Sequence, residues 1–196
     1  MSFLEPAQAF DTELEVKKSR FIGCLRYTPN RDAFNHELAA LKQRFPDARH
    51  ICFGYRFGGG SSVASQGCSD DGEPSGSAGK PIVNVIQHND VGNVSMFVVR
   101  YFGGIKLGVG GLVRAYGATA SELMANGTWQ QHIEQKRMTF HFDFANESVF
   151  RNKLTELDAQ LVDIDYGTQV TATVDANAEF EAWILEHSTQ YSITPD

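Results

Sequence analysis

Residues 94–117 read VSMFVVRYFGGIKLGVGGLVRAYG and set the architecture of the first part of the chain. The run up to Phe102 is apolar on both faces, which is typical of a central strand of a sheet. Apolar residues at helical spacing after Gly111 predict a helix that ends near Gly127. The glycine-rich loop between the two lets backbone N–H groups approach an anion closely, and the N-terminus of the helix adds a favourable dipole.

This strand–loop–helix unit is the candidate phosphate or nucleic-acid site. The residues expected to contact the ligand are the loop glycines and the cations near them, namely Lys80, Arg100, Gly103, Gly104, Lys106, Gly108, Gly110, Gly111 and Arg114. Their spacing matches neither the G-x-x-x-x-G-K-[ST] loop nor a clean G-x-G-x-x-G motif. The alternative is a tight strand-to-helix turn whose glycines serve close packing, and the sequence leaves both interpretations open.

Residues 58–80, GGGSSVASQGCSDDGEPSGSAGK, are predicted to form one long loop, and loops of this length are usually functional or disordered. Asp70, Asp71 and Glu73 place three carboxylates within four residues of it. They lack the spaced ligands of a calcium loop. We therefore expect them to build a turn or to form a buried ion pair, rather than to hold a metal ion. The cations proposed as partners in that pair are Arg49, Lys80 and Arg100.

Other segments of the first part alternate between strands and helices. Residues 13–27 predict one or two strands, and apolar residues spaced by four, three and four between Phe34 and Phe45 predict a helix. Period-two alternation over residues 50–57 predicts a half-buried strand. A short helix is predicted from Pro81 to Ile86, and a strand with a connector over 128–137.

The last part of the chain has a different pattern. Between Met138 and Ile193, alternating and helical apolar spacings predict the order strand, helix, strand, strand, helix, strand. This order is the split βαβ or ferredoxin-like arrangement. The sequence therefore predicts two domains, residues 1–135 and residues 136–196.

Charge is distributed unevenly between these domains. The 196 residues carry a formal net charge of −7, but residues 1–135 contain 13 basic and 13 acidic residues, whereas residues 136–196 contain 4 and 11. Because phosphate binding needs positive charge, the acidic balance argues against a nucleic-acid site in the second domain only. A hydrophobic content of 42% excludes wholesale disorder.

The sequence also indicates the compartment. No apolar run approaches the roughly 20 residues of a membrane span, and the acidic N-terminal segment has no secretory h-region. Three widely spaced cysteines predict neither a disulfide framework nor a zinc site. We therefore expect a reduced, cytoplasmic protein without a membrane contact, a metal or a cofactor.

Three segments closely resemble the signature segments of the IMPACT/YigZ family: Asp47-Ala48-Arg49-His50, SDDGEPSGSAGKP at 69–81 and VVRYFGGIKLGVGGLVRAYG at 98–117. The resemblance covers nearly the whole chain. It implies an α+β protein, with an N-terminal IMPACT domain of the ribosomal protein S5 domain 2-like fold and a ferredoxin-like C-terminal domain.

The resemblance assigns no role to the motif residues Arg49, His50, Asp70, Asp71 and Glu73. Ile51 stands where bacterial members often have a second histidine, so a function for paired histidines is not supported. Eukaryotic members of the family regulate translation by binding a large activator protein of an amino-acid-starvation kinase. Association with nucleic acid or the ribosome has been the working idea for the fold, and the family is not known as an enzyme family.

We therefore expect a non-enzymatic binding protein that associates with RNA or the ribosome and takes part in the regulation of translation. One alternative is a protein–protein regulatory module in which the acidic and glycine loops form the recognition surface. Another is a phosphate-handling enzyme, although Gly110-Gly111-Leu112 offers no hydroxyl group before the helix and no general base is evident.

Overall fold

Eleven strands and five α-helices alternate along residues 3–60 and 62–194, the part of the chain that the computed structural model describes. The chain divides into two units between His132 and Ile133. The strands of the first unit are β1 (Leu4–Pro6), β2 (Phe10–Val16), β3 (Ser19–Tyr27), β4 (His50–Phe57), β5 (Ser65–Ser69), β6 (Val94–Tyr101) and β7 (Trp129–Gln131). Its helices are α1 (Arg31–Arg44), α2 (Gly79–Gln87) and α3 (Val109–Asn126).

Five strands of the first unit form an antiparallel sheet in the order β2-β3-β6-β4-β5. Strand β6 lies at the centre and is buried from Val94 to Arg100, as its continuous apolar sequence predicted. The short strands β1 and β7 pair separately with each other. The sheet therefore places the C-terminal end of β6 directly before the glycine-rich loop and α3.

Helices cover both faces of this sheet. Side chains on one face, such as Ile51 and Phe97, pack with Phe34 of α1. Side chains on the other face, such as Met96 and Val98, pack with residues of α2 and α3. Successive residues of a strand point to opposite faces, so Arg100 is directed to the α3 side of the sheet.

Strand β5 corrects one prediction from the sequence. Residues 58–80 do not form a single loop, because Ser65–Ser69 pairs with β4 at the edge of the sheet. The strand reads SQGCS and is partly exposed along its length, so it lacks the apolar alternation that identifies a half-buried strand. Helix α2 also begins at Gly79, two residues before the predicted start at Pro81.

The second unit has the predicted order of elements. It contains β8 (Lys136–Phe142), α4 (Glu147–Glu156), β9 (Gln160–Tyr166), β10 (Val170–Ala176), α5 (Ala178–Glu186) and β11 (Tyr191–Thr194). The four strands form an antiparallel sheet in the order β11-β8-β10-β9. Its core contains Phe140, Phe150 and Phe180, one each from a strand and the two helices.

The expected α+β class, with a small C-terminal domain after a larger one, is confirmed by these two units. The division between His132 and Ile133 lies close to the domain boundary expected after Gln135. Within the described residues, no helix is both long enough and apolar enough to cross a bilayer.

Candidate functional site

A cleft of about 680 Å³ opens in the first unit where the start of β4, the end of β6 and the following glycine-rich loop meet. Its lining includes Arg49, His50, Glu73, Arg100, Phe102 and Lys106. The volume lies within the range of about 300–1,000 Å³ that is usual for ligand sites. All three segments that resemble family signatures contribute residues to this cleft.

A buried ion pair forms its floor. Arg100 Nη1 donates to Glu73 Oε1 at 2.6 Å, and only 9% and 4% of the two side chains are exposed. The Tyr116 hydroxyl donates to the same oxygen at 2.8 Å. Of the three cations proposed from the sequence, Arg100 is thus the partner of the acidic loop. The interaction joins that loop to β6 and α3.

Cys52 extends this network without supplying a reactive group. Its Sγ lies 3.0 Å from the Asp70 carbonyl oxygen and 3.4 Å from the Tyr116 hydroxyl. Burial raises the pKa of the Cys52 thiol to about 12, and burial likewise raises the pKa of Tyr116. Burial and the nearby Asp70 carboxylate also raise the pKa of Cys68, which does not line the cleft. None of these groups is activated as a nucleophile.

Asp70 holds the turn that leads into α2. Its Oδ1 accepts from the N–H groups of Ala78 and Gly79 at 3.0 and 2.8 Å, and its Oδ2 accepts from Gly76 at 2.7 Å. Burial alone raises the pKa of this carboxyl group, but the three backbone donors outweigh that effect and hold the pKa below its ordinary value. Asp70 is therefore committed to the backbone of its own loop.

Asp71 orients His50, the first residue of β4. The Asp71 side chain accepts from the Ile51 N–H at 2.6 Å, and its carbonyl oxygen lies 2.7 Å from His50 Nδ1. A carbonyl oxygen only accepts hydrogen bonds, so this geometry assigns the proton to Nδ1. His50 Nε2 makes no hydrogen bond within residues 3–60 and 62–194.

The glycines of the loop have different structural roles. A Cβ atom at Gly103 would overlap the carbonyl group of Lys18, and the Gly103 N–H donates to Ser19 Oγ at 3.1 Å. Gly104 and Gly108 have φ values of +85° and +72°, which favour glycine. Close packing and backbone conformation thus explain three of these glycines, whereas a Cβ atom at Gly110 would make only an ordinary contact of 3.7 Å with the Arg114 side chain.

The N-terminus of α3 faces this region. Gly108 precedes the helix, and no side chain caps it. The first N–H groups of a helix have no partner within the helix. They therefore remain available to a ligand in the cleft, which Gly108 and Val109 border.

The predicted cations lie in three places. Arg100 and Lys106 line the cleft together with Gly108. Arg114 and Gly111 line a hollow of about 240 Å³, which Lys17 also borders, and Leu107 borders both openings. Lys80 is exposed on α2 and lines neither opening. We call the cleft and this hollow together the loop surface.

The sequence alone does not place two residues, Phe102 and Lys17, at the loop surface. The sequence predicts a central strand that runs to Phe102, but the strand ends at Tyr101 and 58% of the surface of Phe102 is exposed beside the cleft. Lys17 and Lys18 have φ values of +48° and +64° and form the two-residue turn between β2 and β3. The turn brings Lys17 to the hollow, and only the tertiary position of the hairpin shows this.

No group of three or more histidine, cysteine, aspartate or glutamate side chains within residues 3–60 and 62–194 is arranged to hold a metal ion. The carboxylates of the acidic loop instead accept hydrogen bonds from protein groups.

The chain is similar to several known proteins. The model of the Impact N-terminal domain family matches residues 17–124. The chain is 34% identical to IMPACT family member YigZ of Escherichia coli K12 over 191 residues, which cover 95% of this chain and 94% of that protein. An IMPACT family member of Haemophilus influenzae Rd is 41% identical over 141 residues, or 72% of this chain and 68% of the relative.

A solved structure described only as a hypothetical protein has a TM-score of 0.78 and 32% sequence identity, and the match covers 100% of this chain and 97% of that one. The family match includes every residue that lines the cleft and all but Leu14 and Val16 of the hollow, and the similarity to YigZ extends through both units. The chain therefore belongs to the IMPACT family.

Proposed function

We propose that this protein is a non-enzymatic, cytoplasmic RNA-binding protein that associates with RNA or the ribosome, and that the loop surface contacts the phosphates. The observation that carries the proposal is the position of four exposed cations, Lys17, Arg49, Lys106 and Arg114. None of the four forms an ion pair with a carboxylate of the described residues. They lie on both sides of Leu107, next to the N-terminus of α3.

Several other cations of the first unit are neutralised by ion pairs. Arg20, Arg26 and Arg44 are each paired with an aspartate or a glutamate. Cations of the loop surface that lack such partners can neutralise the phosphate charges of RNA, which releases the counterions that the phosphates hold. Exposed Phe102 adds an aromatic face on which an unpaired base can stack.

The link to translation comes from the family. Its eukaryotic members regulate translation, and we propose that this chain acts in the same process. The charge distribution supports an RNA contact through the first unit, since the excess negative charge belongs to residues 136–196.

The test is the binding of fluorescently labelled RNA to the full chain at several salt concentrations. We expect log K to fall linearly with log[salt]. The double variant Lys106→Ala/Arg114→Ala should bind more weakly and lose roughly 1.4 from the slope, since each contact with single-stranded RNA contributes about 0.7.

Lys42→Ala is the matched control, because Lys42 is exposed on α1, which covers the opposite face of the sheet. It should leave both the affinity and the slope unchanged. Binding that does not depend on salt, or an equal loss in Lys42→Ala, contradicts the proposal.

The exposed apolar side chains of Phe102, Ile105, Val109 and Val113 favour a second candidate, a protein–protein regulatory module. Apolar residues gathered at a rim are typical of docking surfaces. A partner captured from lysate that survives ribonuclease treatment, and is lost with Val109→Asp, favours this alternative over RNA binding.

A further inference from the structure

The cleft offers an imidazole acceptor beside several donors, and the carboxylates of Asp47 and Glu73 also line it. Arg49, Lys106 and the free N–H groups of α3 all donate. His50 is the neutral acceptor among these groups: its ring donates through Nδ1 to the Asp71 carbonyl oxygen, and in this tautomer Nε2 accepts. A ligand that satisfies both kinds of group carries anionic oxygens and also one O–H or N–H donor.

Arg100 gives independent evidence for a ligand in this cleft. Only 9% of its side chain is exposed, and its Nε is buried without a hydrogen-bond partner in the described residues. A buried donor left unpaired is destabilising, and such groups are rare in native proteins. Nη1 is already held by Glu73, and because Arg100 lines the cleft, an acceptor bound there can approach the part of the guanidinium group that Glu73 leaves unpaired.

The histidine is fixed before any ligand binds. Its ring is held by the carbonyl group of Asp71, which is itself held by the bond between the Asp71 carboxylate and Ile51 N–H. Asp71 and Gly72 have φ values of +41° and +85°, so this turn has an uncommon backbone conformation at two successive residues. A Cβ atom at Gly72 would lie 3.4 Å from the His50 ring in that same conformation.

We propose that the cleft binds one nucleotide of single-stranded RNA and that the ribose 2′-hydroxyl donates a hydrogen bond to His50 Nε2. The phosphate lies at Lys106 and the N-terminus of α3, and the base packs against Phe102. The 2′-hydroxyl is the group by which a protein distinguishes RNA from DNA. His50 thus determines selectivity for RNA, and the inference rests on the RNA-binding function proposed above.

The experiment compares three labelled oligonucleotides of about ten nucleotides that share the base uracil: oligouridylate, oligodeoxyuridylate and 2′-O-methyl oligouridylate. The last keeps a ribose-like sugar but lacks the donor. Anisotropy with the full chain should show oligouridylate bound about two- to tenfold more tightly than the other two, the ratio that one neutral hydrogen bond provides.

His50→Ala should weaken the binding of oligouridylate to the level of the deoxy form while leaving the deoxy affinity unchanged. Lys106→Ala should weaken all three by the same factor, because the phosphate is common to them. The 2′-O-methyl comparison uses the unaltered protein, so the test does not depend on the folding of a variant.

The possible failures are distinguishable. Equal, salt-dependent binding of all three oligonucleotides overturns the role of His50 and leaves the proposed function intact. A loss of all three affinities in His50→Ala also overturns it. The absence of binding to any of them at low salt overturns both proposals.

Discussion

Replacing Glu73 with alanine should strongly destabilise the first unit. The substitution leaves the Arg100 guanidinium group buried without its counter-ion, since only 9% of that side chain is exposed. Removing one partner of a buried ion pair costs about 3–5 kcal/mol. The Tyr116 hydroxyl also loses its acceptor, which adds about 1 kcal/mol. The total is a large part of the roughly 5–15 kcal/mol that stabilises a typical domain.

Urea unfolding followed by tryptophan fluorescence measures this loss. The chain has two tryptophans, Trp129 in the first unit and Trp183 in the second. A Trp183→Phe background therefore reports the first unit alone. With a urea m-value of about 2 kcal/mol/M, the midpoint for Glu73→Ala should fall by roughly 2–3 M.

Two further variants separate the contributions. Tyr116→Phe keeps the ion pair and removes one hydroxyl, so its midpoint should fall by only about 0.5 M. Glu13→Ala breaks the exposed pair with Arg20 and should leave the midpoint nearly unchanged. If Glu73→Ala shifts the midpoint no further than Glu13→Ala does, the buried pair does not hold the floor of the cleft.

Three other predictions concern acid, packing and thiols. The pKa of Asp70 is lowered in the folded state. Its carboxylate therefore stabilises the fold above an ordinary carboxyl pKa of about 4, and this stabilisation is lost as the pH falls further. Urea midpoints of Asp70→Asn should decline less than those of the wild type between about pH 5 and pH 2. Thermal unfolding should show that Gly103→Ala is destabilising, because its Cβ meets the Lys18 carbonyl, whereas Gly110→Ala is neutral or stabilising by up to about 1 kcal/mol. An equal loss in both would contradict the packing argument. Of the three cysteines, all in the described part of the chain, Cys68 alone is exposed, so a thiol reagent should titrate one thiol in the native protein and none in Cys68→Ser.

Elements buried on one or both faces could be predicted from the sequence, because burial imposes an apolar pattern. Strand β6 is an example, and so is the order of elements in the second unit. The alternation over residues 50–57 predicts strand β4 but is wrong in making it half-buried, because Cys52 and Gly54 are buried on the face opposite to Ile51 and Tyr55. Strand β5 could not be predicted, because an edge strand with polar residues has no such pattern.

The candidate site could be predicted only in part. The ion pair of the acidic loop was expected, but the choice of Arg100 over Arg49 or Lys80 depends on which side chain the sheet directs toward α3. Gly103 is required by contact with a hairpin about 84 residues earlier in the chain. The free nitrogen of His50 depends on a hydrogen bond to a residue 21 positions away. Local spacing carries no information on such contacts.

The polar sequence of β5 has a consequence for self-association. An edge strand presents unpaired backbone N–H and C=O groups, and a long apolar edge invites the strand of a second molecule to add to the sheet. Here Ser65–Ser69 is only five residues long and contains no large apolar side chain. The polar composition that makes this strand hard to predict from the sequence thus also protects the sheet from aggregation at that edge.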